Sequence, residues 1–390
     1  NDNIGTGSRF PYITQIGGGG FTGFGLNGSQ ASGYKENIIG VQDLTWEKSY
    51  KTDIGLEIGI LDKLSLTMDY FKDRRKNILI ERSTLSSIAG YNGSVVFANL
   101  GEMNNQGFDG NIEYNDKIGK VGLRLYANAT YAHNEIVFQD EPLRNYNYQR
   151  GTGHMWGEFT GYIDQGLYVD AADIAQHAQQ TFGTVSPGDI RYKNLNPEDD
   201  NVIDGNDWTY LGKSSFPKWL YGAGYTVSWH NIDLSMLFQG VMGVGIMANG
   251  SQITSGGLGA DGVGIVPFSG LGQFPNNTMD ILNDRWTVDN PRQDAYYPRI
   301  TIGSLTDNNY LNSTRWLKNG DYLRLKQVSI GYSLVAKRLK NAGLSSLYFY
   351  LSGQNLLTFS KFKLWDPELG SNGAKYPITK MFTFGVRANF

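Results

Sequence analysis

The 390 residues carry 34 Lys+Arg against 37 Asp+Glu, and a formal net charge of -3 excludes any argument from charge for nucleic-acid binding or for a polybasic membrane surface. With 50 Gly, 24 Tyr, 19 Phe and 8 Trp, 18% charged residues and a mean hydropathy of -0.36, the composition favours strands and turns over helices. The absence of cysteine removes disulfides and thiolate metal sites, and no run approaches the roughly 18 apolar residues of a membrane helix. The nearest, residues 241–248, is short and interrupted by glycine, so a place in a membrane would require a barrel of strands. Residues 1–5 show neither a basic n-region nor an apolar h-region, and no signal peptide is expected in the chain.

About ten segments are well patterned as strands, with one or two more possible among residues 1–45 and 74–82. Residues 64–70 (Leu-Ser-Leu-Thr-Met-Asp-Tyr) alternate apolar and polar side chains, which places the two sets on opposite faces of a strand. Residues 108–114 repeat the pattern, with Asp109, Asn111 and Glu113 opposite Phe108, Ile112 and Tyr114, and residues 121–131 continue it with Arg124 and Asn128 on the polar side. Ile232, Leu234, Met236 and Phe238 mark another strand. Leu323 and Leu325 are in phase with each other, whereas Val328, Ile330 and Tyr332 fall on the opposite parity, which predicts a β-bulge near Gln327. In the last strand, residues 378–390, Phe382, Phe384, Val386, Ala388 and Phe390 face one way and Thr383, Gly385, Arg387 and Asn389 the other.

Alternation is shared by soluble sandwiches and membrane barrels, so strand length and loop asymmetry have to decide. Several segments exceed the roughly nine residues that cross hydrocarbon. Tight turns at Leu61-Asp62-Lys63 and His230-Asn231 alternate with long connections at 140–155, 170–213 and 247–318. Trp46, Tyr50, Tyr70, Trp219, Tyr221, Tyr225, Trp229, Tyr322 and Tyr332 cluster near strand ends, as interfacial aromatic girdles do. The expected fold is all-β: a transmembrane antiparallel barrel with about 10–12 strands and long extracellular loops in residues 1–390. Asp69, Asp109, Asn111, Glu113, Arg124, Asn128 and Arg387 would face its lumen.

Leu44-Thr45-Trp46-Glu47-Lys48-Ser49, running into residues 52–57, resembles the SusC/RagA family of TonB-dependent outer-membrane transporters. Asn99-Leu100-Gly101-Glu102-Met103 with Asn105-Gln106-Gly107-Phe108 resembles that family's next hallmark, and Asp321-Tyr322-Leu323-Arg324-Leu325-Lys326 a third, in the family's order. Ser352-Gly353-Gln354-Asn355-Leu356-Leu357 and the terminal aromatic strand match as well. The resemblance implies a plugged barrel of about 22 strands. It also implies TonB-driven import of oligosaccharides or oligopeptides, without enzyme activity, and a SusD/RagB-like surface lipoprotein as partner. The family's plug domain and TonB box have no counterpart in these residues. The chain is therefore expected to be the C-terminal part of the barrel in the bacterial outer membrane, with the N-terminal barrel and plug portion, and through it TonB, as further partners. A soluble all-β carbohydrate-binding module and an outer-membrane barrel enzyme are the rival readings.

Residues 196–207 place oxygen ligands at Asn196, Glu198, Asp200, Asp204 and Asp207, positions 1, 3, 5, 9 and 12 of an EF-hand-like loop. Val202 would offer its carbonyl at position 7, Asn201 would take the left-handed turn at position 6, and Ile203 occupies the aliphatic position. Calcium is the expected cofactor, although Asn196 and Asp207 replace the usual Asp and Glu and no flanking helices are foreseen. A solvated acidic turn is the alternative. Gly212-Lys213-Ser214 mimics the end of a P-loop, but Asp207 stands in the place of its first glycine. Gly18, Gly20 and Gly23 lead into further glycines where a dinucleotide fold needs a helix, and the four histidines are scattered. Substrate contact is expected from aromatic and amide side chains of a long loop: Tyr146, Tyr148, Gln149, Arg150 and Trp156.

Overall fold

The structure, a computed structural model, describes residues 10–24, 29–86, 88, 94–196, 201–249, 284–299, 308–335, 343–373 and 375–389, with residues 19–24 and 29–32 described by their backbone alone. The elements in chain order begin with β1 (Gln15–Phe24), β2 (Ser29–Ile39), β3 (Lys48–Ile60), β4 (Leu64–Glu81), β5 (Val95–Ile118) and β6 (Val121–Phe138). A connection follows that contains β7 (Glu158–Gly161), β8 (Asp164–Leu167), α1 (Ala171–Gln176), β9 (Gln179–Gln180), β10 (Ile190–Tyr192), β11 (Val202–Ile203) and β12 (Thr209–Ser214). Then come β13 (Trp219–Trp229), β14 (Ile232–Met242), β15 (Gly245–Met247), β16 (Leu317–Asn319), β17 (Tyr322–Leu334), β18 (Ser346–Ser360) and β19 (Met381–Asn389). The last strand is shorter than its alternation suggested, and Phe390 lies outside the described residues.

Two compact units are present: one of Asn1–Ile54, Phe71–Gly107 and His133–Trp156, the other of Gly55–Tyr70, Phe108–Ala132 and Gly157–Phe390. The division cuts through β3 to β6 and is not a boundary along the chain. In the first unit β1 pairs β2 antiparallel, and β2 meets β5 in a short parallel contact at Ile38 and Ile39. In the second, the strand order is β3-β4-β5-β6-β13-β14-β17-β18-β19. Among the described residues, these nine with β1 and β2 make eleven strands, within the expected 10–12.

Register converts the alternation of single strands into rows across the second unit's sheet. Leu123, Val227, Leu234, Ile330, Leu351 and Phe384 stand opposite one another on six consecutive strands. One residue along, Arg124, Thr226, Ser235, Ser329, Ser352 and Thr383 form the neighbouring row on the other face. Because side chains alternate with period 2, a one-residue slip in any strand would exchange the two faces. The bulge that keeps β17 in phase is present. Leu237 pairs Gln327 while Phe238 pairs Leu325, which leaves Lys326 as the extra residue. Next to it Gln327 pairs Gln354 and Leu325 pairs Leu357, with Asn355 in the left-handed region at φ 53°. Leu61 (φ 54°) and Asp62 (φ 52°) give the β3–β4 turn two left-handed central residues, the geometry that matches strand twist in a two-residue hairpin loop.

In the apolar row Ile330, Leu351 and Phe384 are exposed and Leu123, Val227 and Leu234 half-buried, and Phe382 and Phe384 on this face are each 71% accessible. Most of the buried side chains instead belong to the connections around β7–β12 and β15–β16. Leu167, Ile190, Tyr192, Ile203, Met247, Trp286, Tyr297 and Trp316 form a continuous hydrophobic core there. Segments whose length and polarity suggested irregular loops thus assemble a small folded body with its own interior.

Candidate functional site

The polar face of the sheet carries charge in pairs. Arg124 donates from Nε and Nη2 to the two carboxylate oxygens of Glu113, each at 2.9 Å, while off this face, at the β3–β4 turn, Lys63 lies 2.8 Å from Asp116. Arg324, 2% exposed, reaches Asp366 at 2.5 Å and Glu368 at 3.4 Å. Asn128, Gly222, Gln239, Arg324 and Thr358 share one row, so this face presents amides, hydroxyls and paired ions. Glycines admit aromatic rings onto the sheet: Tyr350 lies over Gly385, and Tyr348 over Gly331, where a Cβ would collide with the ring. The Tyr348 hydroxyl donates to Asp233 at 2.8 Å.

Beyond the strands, buried polar groups fix the loop body. Asp189 receives Arg299 Nε at 2.6 Å and Asn309 Nδ2 at 2.7 Å, while Asn309 Oδ1 accepts the Ile190 N–H and its carbonyl accepts the Trp316 indole N–H. Gln180 Nε2 and Asn308 Nδ2 both donate to the Ile190 carbonyl. Each of these groups would cost free energy if buried alone, so the network specifies one arrangement of the three segments. Burial pushes the Tyr192 and Tyr168 hydroxyls well above the ordinary phenol range.

An open cleft of about 510 Å³ lies in this body, between segments 164–166, 293–296 and 314–318. Its floor is built by Arg315, 8% exposed, which donates from Nε to Asp164 at 3.1 Å and from Nη1 to the Ala295 carbonyl at 2.7 Å. Asp164 in turn takes the Gly166 N–H, and its own N–H donates to Thr314 Oγ1 at 2.8 Å. Lys318 places its ammonium 4.1 Å from the ring centre of Tyr296. Burial first, and the Arg315 charge second, bring the Lys318 pKa down to about 8, against the opposing pull of Asp164. Burial raises the Tyr296 hydroxyl to about 12.

The acidic loop is described at Asn196, Val202, Asp204 and Asp207; Glu198 and Asp200 lie outside the described residues. Asp207, fully buried, accepts the N–H groups of Leu195 (2.7 Å) and Asn196 (3.1 Å) on one oxygen and that of Asp204 (2.9 Å) on the other. The first and twelfth positions of the motif are therefore brought together. Asn201 has φ 55°, the left-handed turn foreseen at position 6, and Ile203 at the aliphatic position is buried in a short pairing with β9. Burial, then the charges of Asp207 and Asp204, lift the neighbouring Tyr162 to about 12.

In the first unit, the rings of Tyr146 and Tyr148 stack 5.3 Å apart at an interplanar angle of 1°. Trp156 and Arg150 are exposed, whereas Gln149 is 4% exposed and turned inward. Glu141 organises this loop by accepting the Gly151 N–H at 2.7 Å and both the N–H and hydroxyl of Thr152. Burial opposes its ionisation, and these donors outweigh burial, so its carboxyl titrates below the ordinary range.

Residues 3–356 match the family of TonB dependent receptor-like β-barrels. The chain belongs to this family. It is 26% identical over 377 residues to TonB-dependent receptor P3 of Formosa agariphila, a match covering 89% of this chain and 34% of that protein. With TonB-dependent receptor SusC of Bacteroides thetaiotaomicron it shares 22% identity over 379 residues, 90% of this chain and 32% of that one. It thus spans about a third of the length of these curated relatives. Its fold matches the RagAB peptide importer in the open-open state with a TM-score of 0.70 at 20% identity, covering 98% of this chain and 38% of that chain. The likeness to SusC and to the RagAB fold agrees with the resemblance that its motifs carry.

The structure gives those motifs physical work in the receptor barrel. The Thr45 N–H of the first donates to Asn99 Oδ1 of the second at 2.9 Å, and Asn99 Nδ2 donates to the Asn77 carbonyl. Glu47 and Glu102 pair with Arg75 and Lys76 at 3.2 and 3.1 Å. In the third, Asp321 accepts the Gly243 N–H at 2.8 Å, and Arg324 is the buried cation described above. Sequence reasoning named none of Asp164, Asp189, Tyr296, Asn309, Arg315 or Lys318 as functional. Asn308-Asn309 beside Tyr310 is the one local signal, since two adjacent amides next to an aromatic residue suit a buried polar clip.

Proposed function

We propose that the chain forms part of the wall and the outer loops of a TonB-dependent importer in the bacterial outer membrane, taking up oligopeptides or oligosaccharides. The observation that carries this reading is the pair of rows on one sheet, continuous apolar residues on one face and continuous polar residues on the other. Hydrocarbon outside and a hydrated lumen inside are the two solvents that such a wall separates. In the described residues β3 and β19 each have one strand partner, and lipid cannot satisfy open edges. The remaining strands, a plug and the TonB contact would come from the rest of the barrel. A SusD/RagB-like surface lipoprotein would cover the loop body. The wall binds and orients solute and carries out no covalent chemistry.

The acidic loop belongs to the same proposal as a Ca²⁺ site that stiffens the connection. Asn196, Glu198, Asp200, Asp204 and Asp207 would hold the ion with the Val202 carbonyl. The left-handed Asn201 and the buried Ile203 support that assignment. The deciding experiment is growth on mixed peptides or on glycans as sole nutrient, comparing cells that lack this protein with cells that lack TonB. Loss of the same nutrient class in both is expected. Release of the protein from membranes by salt alone, with no heat-dependent shift on a denaturing gel, would sink the reading.

A further inference from the structure

The cleft over Arg315 holds a cation that its surroundings do not neutralise. Asp164 is committed to Arg315, the Gly166 N–H and the wall of the cleft. The other carboxylate at the rim, Asp294, has an 84% exposed side chain and lies 3.9 Å from Arg292. Lys318 has no acidic partner within ion-pair distance among the described residues, and its ammonium rests against the face of Tyr296 instead. Arg315 uses Nε and Nη1 internally, which leaves its Nη2 without a hydrogen bond among the described residues. The cleft therefore presents one ammonium, one guanidinium nitrogen and an aromatic wall, with an acidic group at its mouth.

We propose that this cleft binds the terminal carboxylate of a short peptide, with Lys318 as ion-pair partner, Arg315 as second donor and Tyr296 as the wall for the last side chain. A single carboxylate supplies the charge that Lys318 lacks, and charge-assisted hydrogen bonds to it are the stronger kind. Asp294 at the mouth favours the cationic or neutral body of a peptide and repels a chain with a carboxylate on every unit, as in a polyuronate. The inference rests on the import reading for its purpose, but the cleft's ligand chemistry is testable by itself.

The pH dependence follows from the groups that face Lys318: Arg315 and burial lower its pKa to about 8, Asp164 opposes them, and Tyr296, near 12, stays neutral. Below pH 8 the ammonium is present to pair with a carboxylate; above it the charge is lost. Binding should therefore weaken between pH 7 and pH 9, where a peptide carboxylate itself does not titrate.

The experiment is calorimetric titration of the full-length protein in detergent with trialanine, trialanine amide and trigalacturonate. Trialanine is expected to bind at least ten-fold more tightly than its amide at pH 7 and to lose that preference by pH 9. Lys318→Met, which keeps the stem on Tyr296, should abolish the preference at unchanged melting temperature, and Lys318→Arg should restore it without the pH dependence. Equal binding of acid and amide, no binding of either, or tighter binding of trigalacturonate than of trialanine overturns the proposal. Should Lys318→Met leave trialanine binding untouched in a protein whose loss still mimics loss of TonB, the cleft assignment fails and the import reading stands. Correct binding in a protein whose loss does not mimic loss of TonB gives the reverse.

Discussion

At the scale of single residues, Arg324 is the most exacting group on the polar face. Its guanidinium is buried and held by Asp366 and Glu368. Removing Asp366 leaves the buried charge with only the longer contact to Glu368, at a cost below the roughly 3–5 kcal/mol of a buried ion left with no partner. Asp366→Ala is accordingly expected to lower the temperature at which the protein loses its heat-modifiable gel mobility, and Glu368→Ala, at the longer contact, to lower it less. Asp207 invites a finer separation of roles. Asp207→Asn keeps the oxygen that accepts Leu195 and Asn196, whereas Asp207→Ala leaves three N–H groups without their acceptor, costing on the order of 3 kcal/mol. Amide hydrogen exchange of residues 195 and 196 should therefore accelerate strongly in the alanine variant and weakly in the asparagine one, while that of residue 204, whose acceptor becomes an amide NH2, should accelerate in both. If the loop also holds calcium, chelation lowers the melting temperature of the wild type, since an ion at a hundredfold its Kd adds about 2.7 kcal/mol. Unchanged melting with EDTA would leave Asp207 as a backbone clip alone. The left-handed Asn201 was legible in the sequence because Asn tolerates that region; the Asp207 contacts to Leu195 and Asn196 were not, because a carboxylate's acceptor role depends on which N–H groups the fold leaves bare.

At the scale of elements, what the chain needs most is phase. The parity change between Leu325 and Val328 marks the bulge of β17 in the sequence, and the structure sets it one residue earlier, at Lys326. Deleting Lys326 would force Leu323 and Leu325 onto the polar face or Val328, Ile330 and Tyr332 onto it. The expected outcome is a chain that fails to reach the membrane in heat-modifiable form, whereas replacing Lys326 by Gln or Arg should be silent. The abundance of Gly and Tyr was equally visible, but their use was not. Tyr350 covers Gly385, its direct partner across the ladder, while Tyr348 covers Gly331, which pairs with Tyr350. Composition cannot supply that register. Gly385→Leu should displace the Tyr350 ring from the sheet and destabilise β19, with the loss read as a lower unfolding temperature by circular dichroism.

For the whole molecule, the consequential contrast is between the tight turns and the folded connections. Polarity and length made residues 170–213 and 247–318 look like loops, because a core assembled from scattered Ile190, Ile203, Trp286 and Trp316 leaves no period in the sequence. Their inner polar clips, Asp189 with Arg299 and Asn309 with Ile190, join residues more than a hundred positions apart. On the import proposal, a body of this kind lies on the side of the membrane where solute arrives, and the short turns on the other. The chain's lack of cysteine makes this orientation directly measurable. Val288 is 82% exposed in the loop body, and Lys120 is exposed in the turn between β5 and β6. In cells expressing Val288→Cys, a membrane-impermeant maleimide should label the intact cell. Lys120→Cys should react only after the outer membrane is permeabilised. Equal labelling of both would remove the two-sided placement. The opposite pattern would invert it, and with it the assignment of the loop body to solute capture.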